Sequence, residues 1–267
     1  MRENSSFISF DQAEAGIIFD QSNHKDYPLA YYNVINGRGI GRINMSCSYY
    51  LYCYEGEVML DRFNSGNSVV LSEHMYASVS GDWAFNPYVL GSAVVIEVYH
   101  NAGKYPETKY KAVSTFGGPI EDEGRLKYID GCTDSLLIPP VKLGDPCLNH
   151  LHFPSDIDQT PHTHPSHRIG IVAKGHGECV TPFGDLPLTE GMIFVIKEWD
   201  GSSYDTGLDG HMHPTGTHKF RTFDKAMDVI AFHPDSDFGA TDVDHPMINR
   251  TIVDGVSANQ IDSIRTK

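Results

Sequence analysis

The chain has 267 residues, 40% of them hydrophobic, and a formal net charge of −15. That length suits one large domain or two of about 100–150 residues. The acidic balance excludes the basic footprint that nucleic-acid binding needs, and it disfavours docking on an anionic membrane surface.

No apolar run approaches the roughly 18 residues of a membrane-spanning helix. The N-terminus, MRENSSFISFDQAEAG, lacks the charged, apolar and small-residue order of a signal peptide, so a cytoplasmic protein is expected. The five cysteines (Cys47, Cys53, Cys132, Cys147, Cys179) form no CxxC pair. Their odd number and spacing point to reduced thiols and exclude a zinc ribbon.

Along the chain, short runs rich in Val, Ile, Tyr and Phe alternate with Gly, Asn, Asp and Pro, the pattern of short strands and turns. YYLYCYEGEVML (49–60) runs into glycine, and so does RIGIVAKGHGECV (168–180). LSEHMYASVS from Leu71 matches LTEGMIFVIK from Leu188, and AVVIEVYH (93–100) matches MDVIAFHP (227–234). The order and spacing of these pieces indicate an internal repeat and two all-β barrels or sandwiches. Residues 1–115 form the first and 141–250 the second. The stretch 101–146 reads as irregular, with 116–140 as the connector, and 251–267 as a polar tail. The acidic run Asp235, Asp237, Asp242, Asp244 lacks the spaced oxygens and closing Glu of a calcium loop.

Histidine is concentrated in the second half: eleven of the fourteen lie between residues 150 and 245. In Pro161-His162-Thr163-His164-Pro165 two imidazoles stand one residue apart, on one face if the backbone is extended. His218, in Pro214-Thr215-Gly216-Thr217-His218, is placed to add a third nitrogen. Three imidazoles with open positions suit a catalytic Zn, Fe, Cu or Ni site. His211 and His213 are candidates for an extra ligand, because their Gly- and Asp-rich loop has the length to fold back over the metal. One of His150 and His152 is expected to line the cavity, while His167 falls on the opposite parity.

PHTHPSHRIGIVAKGHGE, LTEGMIFVI and PTGTHKFRT together resemble the two motifs of the cupin superfamily. In that pattern a histidine pair is followed by a glutamate and a glycine, and later by a Pro-x-Gly turn and a histidine. His162 and His164 match the pair, Gly175 the glycine, and Pro214, Gly216 and His218 the second motif. The resemblance covers 140–235 well and 35–105 only as a degenerate copy. It implies a bicupin of two double-stranded β-helix (jelly-roll) barrels, with one divalent metal ion on His162, His164 and His218. Fe(II) is favoured, with Zn, Mn and Ni as alternatives.

The glutamate position is held by Arg168, so the site resembles three-histidine cupins, many of which are dioxygenases. Arg168 is a candidate for binding a substrate carboxylate or phosphate, or else faces solvent. About 16 extra residues precede His218 relative to the first half, as a lid or as a surface embellishment. Tyr204 and Asp205 in that insertion are candidate acid and base, and Asp228 a candidate to orient a ligand histidine. In the first half Ile43 and Met45 replace the histidine pair, Tyr49 replaces Arg168, and Trp83 or Phe85 stands where His218 does. That barrel is therefore expected to be metal-free.

The expected function is oxygenation of a small acidic or chelating substrate by a non-haem Fe(II) dioxygenase. A redox-neutral isomerase, lyase or hydrolase, and a non-catalytic binding protein, are the rivals. No nucleic-acid or membrane partner is expected. Edge strands in need of cover suggest a homodimer.

Overall fold

The computed structural model describes residues 1–10, 14–40, 44, 46–63, 65–99, 102–103, 114–140, 144–236, 248 and 250–265. Among them are strands and short 3-10 turns, such as Ala258–Gln260, but no α-helix. Ile43, Met45, His100, Asp237, Asp242 and Asp244 lie outside the described residues.

Each half is organised on one long strand. In the first half Ser48–Arg62 pairs near its start with Tyr76–Ser80 and Gly91–Val98, and near its end with Ser68–Ser72 and Trp83–Phe85. In the second half Arg168–Val180 does the same, first with Ile193–Ile196 and Met227–His233, then with Leu186–Thr189 and Lys219–Arg221. Both long strands change partners just beyond a register shift, at Cys53/Glu55 and at Val172/Lys174. A bulge of this kind bends a strand and lets it pass from one sheet to another.

The corner needs glycine. Gly175 has φ +74°, and a Cβ there would lie 2.0 Å from the Ala226 carbonyl oxygen. Gly56 occupies the equivalent corner, with φ +64° and the Leu90 carbonyl 2.8 Å from a would-be Cβ. The glycine that ends each repeated strand motif is therefore a backbone requirement.

The outer strands repeat as well. Leu29–Ile35 pairs with Gly91–Val98 and Gly16–Gln21, while Cys147–Phe153 pairs with Met227–His233 and Thr133–Ile138. The result is an all-β molecule of two similar lobes.

Two boundaries differ from the sequence reading. Arg2–Glu3 and Phe7–Phe10 belong to the sheet of the second lobe, where Phe7–Phe10 pairs with Ile193–Ile196. Local sequence names a strand but not its partner. The connector is also more regular than expected: Thr115–Gly117 pairs with Tyr76–Ser80, and Leu126–Lys127 and Thr133–Ile138 join the second sheet. In the tail, Ile252–Val253 and Val256–Ser257 form a small hairpin.

Each lobe has its own apolar interior, and a third cluster joins them. The first contains Tyr49, Leu51, Leu60, Leu71 and Trp83. The second contains Phe7, Phe153, Phe194, Phe220 and Met227. The shared layer draws Tyr31, Tyr52 and Ile96 from one half and Leu148, Ile171 and Phe232 from the other. Tyr31 carries its hydroxyl into this layer and satisfies it by donating to the Gly170 carbonyl, 3.0 Å away. A buried hydroxyl without such a partner would be costly.

Candidate metal centre

His162, His164 and His218 come together in the second lobe, their ligand atoms all within 4.8 Å of one another. The ring centroids are 4.5 Å apart for His162 and His218, 5.0 Å for His162 and His164, and 5.1 Å for His164 and His218. The approach is set by the backbone, not by a continuous strand as expected from the x-spacing. Flanked by Pro161 and Pro165, which have no N–H to give a ladder, the pair makes only an isolated bridge. In it His162 N donates to His218 O at 2.9 Å, and His218 N to His162 O at 3.0 Å. Backbone-paired residues present their side chains on one face.

The proton positions fit a metal ligand role. His162 Nδ1 is 2.8 Å from the Thr160 carbonyl, and His218 Nδ1 is 2.8 Å from the Gly216 carbonyl. A carbonyl can only accept, so each Nδ1 carries the proton and each Nε2 presents a lone pair. His218 Nε2 is buried with no hydrogen-bond partner among the described residues. Burial first, and the neighbouring His162 second, push the His218 pKa down from its ordinary value to about 3. Burial likewise lowers His164. Burial thus favours the neutral form of His164 and His218, the form that a divalent ion requires.

The turn before His218 depends on Gly216. Its φ is +76°, and a Cβ there would sit 2.4 Å from the Lys197 carbonyl. Gly216 N also donates to the Ser5 carbonyl at 3.1 Å, so the N-terminal segment buttresses the ligand turn.

The histidines open onto a cavity of about 40 Å³. Arg168 stands in its wall, not in solvent. One guanidinium nitrogen donates to Asp235 Oδ1 at 3.0 Å, and it also contacts Ser166 Oγ. The Nε–H of Arg168 is buried and unpartnered among the described residues. Tyr128, Gln159 and His233 also line the cavity. The sequence reading did not single them out as site residues. His233 ends the strand matched as MDVIAFHP, a signal within reach; Tyr128 and Gln159 carry no local signature. Burial lowers the His233 pKa well below its usual value.

Other candidates lie elsewhere. Tyr204 and Asp205 are exposed on the hairpin formed by Tyr204–Thr206 and Met212–Pro214. Asp205 bonds Ser5 Oγ, and Tyr204 packs edge-on against Trp199. Neither lines the cavity. His211 is exposed, and His213 bonds Asp209 at 3.0 Å, so neither reaches the three histidines. The insertion is held by its own turns, with Asp200 Oδ1 accepting from Ser202 N and Ser203 N, and it contributes no residue to the cavity lining.

Asp228 orients His150 and His152, at 2.8 and 2.9 Å, and none of the three cavity histidines. Burial alone would raise the Asp228 carboxyl, but hydrogen bonds from His150 and His152 outweigh it and hold the group below its usual value. His150 itself lies on the other face of its strand from Leu151 and Phe153, which line the cavity. Glu178 forms an ion pair with Arg221, its register partner, at 2.5 Å.

A second group, His24, His167 and Glu198, also has ligand atoms within 4.8 Å. Its protons are on the wrong nitrogens for a metal. His24 Nδ1 accepts from Tyr27 N at 2.9 Å, and His167 Nδ1 accepts from Glu198 N at 2.9 Å. The proton therefore sits on each Nε2 of the neutral rings, and His24 Nε2 donates to Glu198 Oε1 at 3.0 Å. The group ties the loop at His24 to the second lobe.

In the first lobe, Tyr49 donates to Glu97 at 2.7 Å and Trp83 packs on Phe116 at 5.3 Å. Among the described residues that lobe has no three-ligand cluster of its own.

No family model matches the chain, and no curated protein matches its sequence. Solved structures do. It is similar to a cupin 2 conserved barrel domain protein from Leptotrichia buccalis, with 11% identity, 88% of this chain and 92% of that one covered, and a TM-score of 0.51. It is similar to protein Ylba from E. coli, with 13% identity, 88% and 94% covered, and a TM-score of 0.55. It is also similar to a mutant of salicylate 1,2-dioxygenase from Pseudoaminobacter salicylatoxidans in complex with gentisate, with 10% identity, 79% and 69% covered, and a TM-score of 0.50. With its two all-β lobes built on the same strand plan, the chain has the fold of the cupin superfamily.

Proposed function

We propose that the protein is a metal-dependent enzyme whose second lobe holds one divalent ion on His162, His164 and His218. It acts on a small anionic molecule. The observation that carries this reading is the proton arrangement: Nδ1–H groups fixed on the carbonyls of Thr160 and Gly216, and a buried, unpartnered Nε2 on His218. Fe(II) is the favoured ion, with Zn, Mn and Ni as alternatives. When bound, the ion would supply Lewis acidity and, as Fe(II), electrons for dioxygen chemistry. The likeness to a salicylate dioxygenase supports an oxygenase as an analogy of fold.

The protein's own groups do the rest. The Arg168 Nε–H, buried beside the histidines, donates to a carboxylate of the substrate and fixes its orientation. Asp235 and Ser166 hold that guanidinium in place. The apolar walls from Phe153, Phe194 and Phe220 exclude water and strengthen both interactions.

Cavity size bears on the substrate. At about 40 Å³ it accommodates an ion with only a few water-sized groups. A short acid that chelates through two oxygens is favoured over an aromatic one. A redox-neutral isomerase, lyase or hydrolase uses the same residues without oxygen. Homodimerisation through an edge strand such as Gly16–Gln21 completes the reading.

The test is oxygen uptake by the Fe(II)-loaded protein with a panel of short α-keto and α-hydroxy acids. The expected result is uptake with at least one acid, and an Arg168→Gln variant whose KM rises about tenfold or more, the size of one lost charge-assisted bond. Turnover under argon with Zn or Mn would move the assignment to the redox-neutral reading, and tight binding without turnover would contradict an enzyme.

A further inference from the structure

One polar side chain of the metal cavity has neither a ligand role nor a hydrogen-bond partner. Gln159 is committed to its own surroundings: its Oε1 accepts from Phe220 N at 3.2 Å, and its Nε2 contacts Cys132 Sγ at 3.5 Å. Arg168 is held by Asp235 and Ser166. Tyr128 is 40% exposed, at the mouth. That leaves His233, which lines the cavity but belongs to no three-ligand cluster and bonds no described residue through its ring. The residue is half-buried, and neither ring nitrogen is sealed off from accessible space in the way that His150 Nδ1 is.

His233 ends the strand Met227–His233. The register pair Ile169–Phe232 puts it beside Arg168 on the neighbouring strand, one step further along. Residues paired across strands present their side chains on the same face. The first lobe fills this position differently. There Tyr49 stands for Arg168 and pairs in register with Glu97. Glu97 is buried and fully engaged, accepting from Tyr49 at 2.7 Å, Tyr32 at 2.9 Å and Tyr99 at 3.0 Å. The second lobe leaves the same position unbonded among the described residues. Burial first, and the Arg168 charge second, keep the His233 ring neutral, so one of its nitrogens carries a proton and the other accepts.

Resting on the reading that Arg168 holds a substrate carboxylate, we infer that His233 accepts a hydrogen bond from a hydroxyl on the adjacent carbon, which makes the substrate a short 2-hydroxy acid. Arg168 and Tyr128 are donors and suit carboxylate or carbonyl oxygens. A hydroxyl proton needs an acceptor, and among the described lining residues His233 is the imidazole left free to provide one. A 2-oxo acid brings no proton for it. A site built to bond a substrate hydroxyl rejects the analogue that lacks it, because the site's own polar group is then left unpaired.

The test titrates lactate and pyruvate, which differ in the hydroxyl, into the full-length Zn-loaded protein under argon. Calorimetry gives the affinities, and NMR follows the histidine ring-nitrogen signals. The parent should bind lactate about tenfold more tightly than pyruvate, with a saturable shift of the His233 signal by lactate alone. His233→Leu should bring the two affinities together while keeping one metal ion per chain. Arg168→Gln should weaken both acids alike. An unchanged lactate preference in His233→Leu, a His233 signal that lactate does not move, or loss of the metal in His233→Leu would overturn this proposal and leave the anion-binding reading standing. Failure of both acids to bind the parent, or full affinity for both in Arg168→Gln, would overturn that reading and the proposal with it.

Discussion

Whether an imidazole can serve a metal depends on which of its nitrogens carries the proton, and a backbone neighbour decides that. The chain contains both outcomes. At His162 and His218 a carbonyl faces Nδ1, so Nε2 is free to ligate; at His24 and His167 an amide N–H faces Nδ1, so Nε2 is protonated. Spacing in the sequence revealed the first group, because the x-spaced pair and the Pro-x-Gly turn are local features. It could not reveal the second group, whose members meet only through the fold, nor the tautomers. A pH effect follows. The His218 pKa is lowered by burial and its neighbours to about 3, from an ordinary value near 6.5 in the unfolded chain. Below pH 6.5 the unfolded state takes up a proton that the folded state refuses. The stability of the metal-free protein therefore falls as pH drops from about 6.5 towards 3. Urea midpoints of the metal-free protein at pH 7 and pH 5 should differ in that direction, and by less in His218→Gln; an unchanged difference in the variant would exclude His218 as the source.

At the scale of elements, the corner glycines and the Pro-x-Gly turn were legible because each is a local backbone demand. Gly216 is the sharpest case. An Ala there must adopt φ near +76° and push its Cβ against the Lys197 carbonyl, displacing the carbonyl that orients His218. Gly216→Ala should cost on the order of 1–3 kcal/mol of stability and weaken metal binding at least tenfold, read by thermal unfolding and metal titration. Normal affinity would mean that the turn does not position His218. The length of the insertion leaves both a lid and a surface embellishment open, and the structure keeps Tyr204, Asp205, His211 and His213 on an outer hairpin. A loop's direction is set by what it packs against, here Ser5 and Trp199, and not by its own residues.

For the molecule as a whole, the two lobes share one apolar layer, and the first ten residues complete the sheet of the lobe farthest from them in sequence. The repeat was visible in the order of strand motifs, but long-range pairing was not, which is why the N-terminal strands were placed with the wrong lobe. Phe7 is fully buried against Phe194, with ring centroids 5.2 Å apart, in the interior of the second lobe. Phe7→Ala should destabilise the protein by about 3–5 kcal/mol, and the shared layer should keep unfolding a single transition by calorimetry. Two separated transitions, with only the later one shifted, would show that the lobes unfold independently.

The central claim is that His162, His164 and His218 hold a metal ion and that the similar-looking group at His24 does not. Elemental analysis of untagged protein, purified anaerobically without chelators, tests it directly when run beside His218→Gln and His24→Gln. The account predicts close to one divalent ion per chain in the parent and in His24→Gln, and its loss in His218→Gln. Full occupancy in His218→Gln, or loss of the ion in His24→Gln alone, would contradict it.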